Sequence, residues 1–399
     1  MTPSFQFPGP WQTLLFVLLL LGVPVAAFFI NAHFDEPLDS ATQQWLDWQL
    51  PAVATMDNGY LDLVALEATA PDRLQLAATA LARQVEIASL AGGDHAKLYA
   101  EAFQPLQIQN QQIKLPEGLC GKDATHCLPA LHEHAALLQS LRAANREPLQ
   151  RYQQMLSRPA YAELLPPDLT VPIPGYAYPM QLSKLNASQI ADLAAAGQFD
   201  AALALWNKEQ QFWLRAAHGS RTLINLMVAA AGLRRGTLLL ADLLDTYPQL
   251  ATTELNATRR VLEESLQLRP LLLQGAMYEF QGVAYIIRHP EVNAPAGKAL
   301  DPGDKVLLSM IKPHASLNLQ QRLQQKQLQQ LGIPIPSALA NNKAEAESTC
   351  DSERPWLSFN NPGGKLLACI AEPDFSSYRD RLATVEKDSQ TLLNRLQAQ

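Results

Sequence analysis

The chain runs to 399 residues, of which 48% are hydrophobic and 17% charged, with a formal net charge of −7. That balance excludes a disordered, highly charged tail protein. With no long cluster of Lys and Arg anywhere, it also excludes an electrostatic grip on nucleic acid.

After a short tail, residues 1–10, the segment WQTLLFVLLLLGVPVAAFFI at 11–30 carries no charge. About 20 residues at roughly 1.5 Å each cross a hydrocarbon core of about 30 Å, so this segment is predicted to be a single transmembrane anchor. A cleaved secretory signal is the competing reading, because Ala26 and Ala27 could precede a cleavage site. Against it, the leader MTPSFQFPGP lacks Lys and Arg, and the bulky Phe28, Phe29 and Ile30 follow the alanines. The first cysteine is Cys120, which excludes a lipidated amino terminus. Neither flank holds Lys or Arg before Arg73, whereas Asp35, Glu36, Asp39 and Asp47 follow the segment. The short tail is therefore expected to stay inside, and both readings export residues 31–399.

Residues 31–165 are predicted as a first helical block, with helices over 40–50, 57–68, 71–91, 94–107 and 129–157, from a composition rich in Leu, Ala and Gln. Within it, CGKDATHC brings Cys120, His126 and Cys127 close to His132 and His134. Thiolates and imidazoles could ligate zinc. On a helix starting near Pro129, however, His132 and His134 lie about 200° apart and cannot grip one ion. His134 instead shares a face with Leu131, Leu138 and Leu141. A disulfide loop followed by an ordinary helix is the expectation in an oxidising compartment, and no metal is assigned.

Residues 166–179, PPDLTVPIPGYAYP, are too proline-dense for a helix or a central strand and read as an extended connector. The central block, 180–289, is predicted to hold helices at 187–195, 199–231, 234–246, 250–267 and 271–288. The apolar runs 223–241 and 271–287 contain Arg234 and Arg235, and Gln274, Glu279 and Gln281, so both read as core helices rather than further membrane spans.

Gln211, Arg215, His218, Arg221/Thr222 and Asn225 recur at steps of three and four, one polar stripe on one helix. Such a stripe could hold an anion or supply a general base, and a solvated helix face is the plainer account. Ser220 in AHGSR lacks the flanking glycines of a hydrolase elbow and gets no nucleophilic role. Glu279 shares a face with Gly275 and Gly282, so a closely packed surface carries a carboxylate that needs a cation. Arg221, Arg234 or Arg235 is expected to supply it. His218, Arg221 and Glu279 thus form the candidate ligand or ion-pair site, with no catalytic residue assigned.

The last segment, 290–399, opens on a loop with the turn signal Asp301-Pro302-Gly303. LNLQQRLQQKQLQQL, within a helix at 316–331, has Leu317, Leu319, Leu323, Leu328 and Leu331 among glutamines. It is too short for sustained heptads and is predicted as an amphipathic helix lying on the core. Pro362-Gly363-Gly364 is predicted to turn a short hairpin over 356–370, and a final helix covers 374–397. The four cysteines permit three pairings, and their local spacing favours Cys120 with Cys127 and Cys350 with Cys369. Each bridge would contribute about 2–3 kcal/mol in the chain-entropy account. Gly363-Gly364-Lys365 lacks the Ser or Thr of a phosphate loop. With no Walker, dinucleotide or His-Glu-x-x-His signature present, no cofactor is expected.

AGQFDAALALW at 196–206 resembles the turn and second-helix start of a tetratricopeptide repeat, with Gly197, Phe199, Ala202 and Leu205 at the small and aromatic positions. No second copy follows at a period of about 34 residues, so the resemblance implies a local helical hairpin. MDNGYLDLVALEA at 56–68 and NPGGKLLACIAEPDFSSYRDR at 361–381 resemble segments of bacterial single-pass envelope proteins of unknown activity. That resemblance implies an inner-membrane, periplasm-facing architecture only.

The chain is therefore expected to be all-α, with an N-terminal transmembrane helix and a multi-helix exported domain of packed hairpins. Its expected place is the bacterial inner membrane, with the C-terminal domain in the periplasm. Its expected partners are the membrane, through the N-terminal helix, and another envelope protein, with no nucleic acid. The expected function is protein interaction or assembly. The alternative is an envelope enzyme, such as a hydrolase, or a ligand-binding protein with a pocket between the central helices. Convergence of His218, Arg221 and Glu279 in one concavity would favour the alternative, and exposure or internal pairing the interaction reading.

Overall fold

A computed structural model describes residues 34–90, 93–108, 112–121, 125–168, 170–252, 255–289, 311–341, 361–370 and 374–397, with Gly9, Gly22 and Val23. Among them the regular structure is helical, apart from one isolated parallel bridge between Asn58 and Ala160. The α-helices are α1 (Ser40–Asp47), α2 (Gly59–Val64), α3 (Arg73–Ala88), α4 (His95–Phe103), α5 (Leu128–Glu133), α6 (Ala135–Ala144), α7 (Arg146–Leu156) and α8 (Ala177–Ala195). They continue as α9 (Phe199–His218), α10 (Leu223–Thr246), α11 (Asn256–Glu264), α12 (Leu272–Arg288), α13 (Pro313–Gln330), α14 (Pro362–Ile370) and α15 (Ser376–Gln397).

The chain divides into two compact units. One comprises Met1–Leu46, Ile286–Lys326 and Pro336–Pro373, the other Asp47–Tyr285, Gln327–Ile335 and Asp374–Gln399. Asp47–Tyr285, which holds most of the expected blocks 31–165 and 180–289 and all of 166–179, falls in one unit. Leu165, Asp168 and Val171 are buried there. The helix expected at 187–195 begins ten residues earlier, at Ala177, because Pro179 sits in the first turn, where its missing N–H costs nothing.

In the larger unit, α8 and α9 form a hairpin closed by Gly197. Gly197 takes φ +72°. Its N–H reaches Ala194 O at 3.0 Å and the Gln198 N–H reaches Leu193 O at 2.9 Å, the paired bonds of a Schellman ending. Helix α10 packs on α9 through Gly232 and Gly236, where added Cβ atoms would lie within 2.5 Å of the Trp213 ring and 2.0 Å of the Gln210 amide. Helix α15 lies on α10 and α11. Glu386 of α15 fixes the start of the 269–271 turn by accepting from the N–H groups of Leu268 and Arg269, at 3.0 and 2.9 Å.

The single helix expected over 199–231 is two, broken at 219–222. Glycine is required at 219 by space: a Cβ there would stand 2.0 Å from the Tyr161 carbonyl oxygen. Thr222 then caps α10, its Oγ1 accepting from Asn225 N at 3.1 Å. Helix α10 is, among the described residues, long and apolar enough to cross a membrane, but its most apolar window is 67% buried in the fold. Of the anchor expected at 11–30, only Gly22 and Val23 are described, both helical. The remainder lies outside the described residues, and the structure lends an N-terminal span no support.

In the smaller unit, Asp35 accepts from the N–H groups of His314 and Ala315 in the first turn of α13. The helix is not amphipathic as expected. Gln320, Gln321, Gln324 and Gln325 are buried along with Leu317, Leu319 and Leu323. Gln325 explains its own burial by a two-way amide pair with the Asn341 backbone, at 3.1 and 2.7 Å. The expected hairpin is corrected as well: residues 362–370 are the helix α14, and 356–360 lie outside the described residues. Asn361, at φ +55°, offers Oδ1 to Gly364 N at 3.2 Å, so the Pro-Gly-Gly run that reads as a turn is the capped first turn of a helix.

Candidate functional site

Neither described pocket is lined by any of the three candidate residues, and no hydrogen bond or ion pair joins them among the described residues. His218 is exposed at the C-terminal end of α9. Arg221, in the turn before α10, is bound inward: it donates to Leu165 O at 3.1 Å and Gln281 Oε1 at 2.9 Å, with its guanidinium 5.3 Å above the Tyr278 ring. Glu279 of α12 is half-buried and has no hydrogen-bond or ion-pair partner among the described residues. The expected ion pair is thus absent, since Arg234 pairs with Asp388 at 3.2 Å and Arg235 donates to Ser183 at 2.5 Å. Burial alone raises the Glu279 carboxyl above its ordinary range. The close approach implied by glycine does occur, with a Cβ at Gly275 falling 2.5 Å from Leu223 Cδ2. The polar stripe dissolves at the helix break: Arg215 donates to Leu156 O at 3.0 Å, while Thr222 and Asn225 belong to the cap of α10.

Glu163 takes the place expected of Glu279. It is 1% exposed. Its carboxylate accepts from the N–H groups of Arg221 and Thr222 at 2.7 and 2.8 Å and from Thr222 Oγ1 at 2.9 Å. A carboxylate there meets the positive end of α10. Burial pushes the acid up, and these bonds only partly offset it. Tyr161 donates to Asn225 Oδ1 at 2.9 Å, and Asn225 Nδ2 donates to Ser220 Oγ at 3.1 Å, completing the same cap. Thr222-x-x-Asn225 carries a capping signal, but nothing local in AYAELLPP marks Glu163 as its partner.

Two further buried polar clusters carry chemically capable groups. His95 Nδ1 lies 2.8 Å from Asp168 Oδ2, which also accepts from Tyr99 at 2.7 Å. Burial raises the Asp168 carboxyl, but hydrogen bonds from Tyr99, His95 and Thr170 outweigh it and hold the acid below its usual range. This is the orientation of a histidine general base, yet His95 Nε2 is buried with no hydrogen-bond partner among the described residues. Among the described residues no hydroxyl or thiol is hydrogen-bonded to that nitrogen. In the second cluster, Glu209 accepts from Tyr152, Ser183 and Asn186 at 2.7, 2.5 and 2.6 Å, and Ser183 also receives Arg235. A hydroxyl thus joins a buried carboxylate to a buried guanidinium and ties α7, α8, α9 and α10 together.

Cys120 and Cys127 are disulfide-bonded. Asp242 of α10 holds the exit of that loop, accepting from the N–H groups of Cys127 and Leu128 at 2.6 and 2.9 Å and lying 2.7 Å from His126 Nδ1. The contact raises the His126 pKa, through the hydrogen bond and then the charge of Asp242. Cys369 is disulfide-bonded on α14, while Cys350 lies outside the described residues. Among the described residues no group of three or more His, Cys, Asp or Glu is placed to hold a metal ion.

The larger unit also encloses a cavity of about 260 Å³. Its walls come from helical repeats of three and four: Tyr60, Leu63 and Val64 on α2, Leu81 and Gln84 on α3, and Ala96, Ala100 and Phe103 on α4. A strap, Thr170 and residues 172–175, closes it, with Glu67 and Ile108 completing the lining. Tyr60 and Gln84 are both 0% exposed, and Tyr60 Oη, Gln84 Oε1 and Gln84 Nε2 have no hydrogen-bond partner among the described residues. This pocket lies between the early helices, not the central ones. Comparison of the chain with protein-family models, with curated proteins and with solved structures gives no match.

Proposed function

We propose that this chain is a helical envelope protein, anchored in the bacterial inner membrane by residues 11–30, that acts in protein interaction or assembly on the periplasmic side. The observation that carries this reading is the divergence of His218, Arg221 and Glu279: one is exposed, one is bound inward, one is alone. Three buried carboxylates, Glu163, Asp242 and Glu209, serve as helix caps and interhelical ties. The Cys120–Cys127 bridge supports an oxidising compartment. A C-terminal alkaline phosphatase fusion is expected to be active in cells; activity from a cytoplasm-only reporter at the same position would overturn the topology. In-cell crosslinking of the full chain is expected to give a discrete protein adduct in the membrane fraction. Recovery of uncrosslinked chain alone would overturn the interaction role.

A further inference from the structure

Several buried polar atoms of the larger unit lack partners among the described residues, His95 Nε2, Tyr176 Oη and Ser389 Oγ among them, but those of Gln84 and Tyr60 belong to residues that line a cavity. The Glu163, Glu209 and Asp242 clusters bind within the chain, whereas Gln84 and Tyr60 are wall residues of the cavity, and both ends of the Gln84 amide and the Tyr60 hydroxyl have no partner among the described residues. A buried amide left unpaired loses its hydration with no return, which is why such groups are rare and call for a reason. The rest of the wall is apolar, and two lining residues at its rim, Ile108 and Ile173, are 39% and 48% exposed, so an apolar approach leads inward.

We propose that this cavity binds a small uncharged molecule with an apolar body and one amide edge, which pairs with both ends of the Gln84 side chain. Size follows from the cavity. An apolar site of roughly 150 Å³ accepts benzene, so about 260 Å³ accommodates on the order of ten non-hydrogen atoms. Polarity follows from Gln84, which presents one acceptor and one donor side by side and is matched by a group presenting the reverse. A carboxylate would set two acceptors against a single amide donor. It would also meet Glu67 and no Lys, Arg or His among the lining residues, so anions are rejected. The Tyr60 hydroxyl remains protonated, since burial and then the charge of Glu163 hold its pKa far above the usual value, and it serves as a second neutral polar contact.

Calorimetric titration of the full-length chain with three probes tests this: benzamide, whose primary amide presents C=O and N–H on one edge, benzoate and propylbenzene, each of about nine non-hydrogen atoms. Saturable binding of benzamide is expected, with benzoate at least tenfold weaker. In Gln84→Leu, a variant that removes two unpaired polar atoms and so keeps the fold, affinity for the amide should fall about tenfold while that for propylbenzene holds or improves. Ala100→Trp, which fills the cavity, should abolish binding of all three. The proposal is overturned if benzamide does not bind, as for a cavity holding water alone. It is equally overturned if benzoate binds as well as the amide, or if Gln84→Leu retains full amide affinity.

Discussion

Glu163 and Gln84 lie in the same compact unit, 1% and 0% exposed, and they show opposite ways of burying a polar side chain. Glu163 has three donors within 2.9 Å, two of them backbone groups that would otherwise be orphans at the start of α10. Gln84 has none. The first is explained by what it does for the fold: it stitches the 161–165 segment to the turn that separates α9 from α10. The second should leave the fold less stable than an isosteric apolar residue would, and the ligand proposed above would supply the partner that the fold does not. Burial alone distinguishes neither case; the partner list does.

The contrast breaks most visibly at Glu163. Glu163→Ala strips the acceptor from two backbone donors and a hydroxyl in a buried setting, and should cost on the order of 3–5 kcal/mol in urea unfolding followed by circular dichroism. Glu163→Gln keeps an acceptor oxygen and should cost clearly less. Equal losses for the two variants would show that volume, not hydrogen bonding, is what position 163 supplies.

The same turn can be stressed from its other side. Gly219→Ala drives a methyl toward the Tyr161 carbonyl, 2.0 Å from the ideal Cβ, and backbone cannot swing away as a side chain does. A loss of about 2–3 kcal/mol is expected. Gly197→Ala serves as its control: that glycine has nothing within 4 Å but sits at φ +72°, so only the left-handed backbone penalty of about 1 kcal/mol applies. If Gly197→Ala proved the costlier change, close approach would not be the reason for glycine at 219.

How far these features could be read from residues alone divides along the same line. The α8–α9 hairpin was legible because Gly197 ends one helix and an apolar period restarts at Phe199, both local signals. Disulfide bonding of Cys120 to Cys127 was legible from spacing. The break at 219–222 was masked by a polar stripe that runs through it in phase, although Gly219 and the Thr222 cap stood in the sequence to be weighed. Glu163 and the cavity were not legible. Each is assembled from segments far apart in the chain, and Gln84, in the polar run ARQVE, reads as a solvated helix position. The buried glutamines of α13 mislead in the same way, since a glutamine's burial depends on a partner such as Asn341 that no helical period reveals.

At Gln84 the contrast predicts a gain. Gln84→Leu keeps the volume and removes an unpaired donor and acceptor, so the chain without ligand should be more stable by about 1–2 kcal/mol. Thermal unfolding of the two proteins checks the sign. A loss of stability would mean that Gln84 has partners in solution, and Gln84 and Glu163 would then belong to one class.

Glu279 tests whether a half-buried, unpartnered carboxylate behaves like either. Burial raises its folded pKa above the unfolded value, so between those two values the folded state binds more protons than the unfolded one. Its contribution to stability is therefore fully present below the unfolded pKa and is lost as pH rises through the folded pKa. Glu279→Gln, which is neutral at every pH, should match the parent at pH values near 4 and exceed it above neutrality by no more than about 1 kcal/mol. The difference should open on the alkaline side, and the parent's stability should decline more steeply across that window. A variant that lost stability at neutral pH would show instead that the charge has a cationic partner in solution, which would restore the ion pair that the packing of α12 was expected to need.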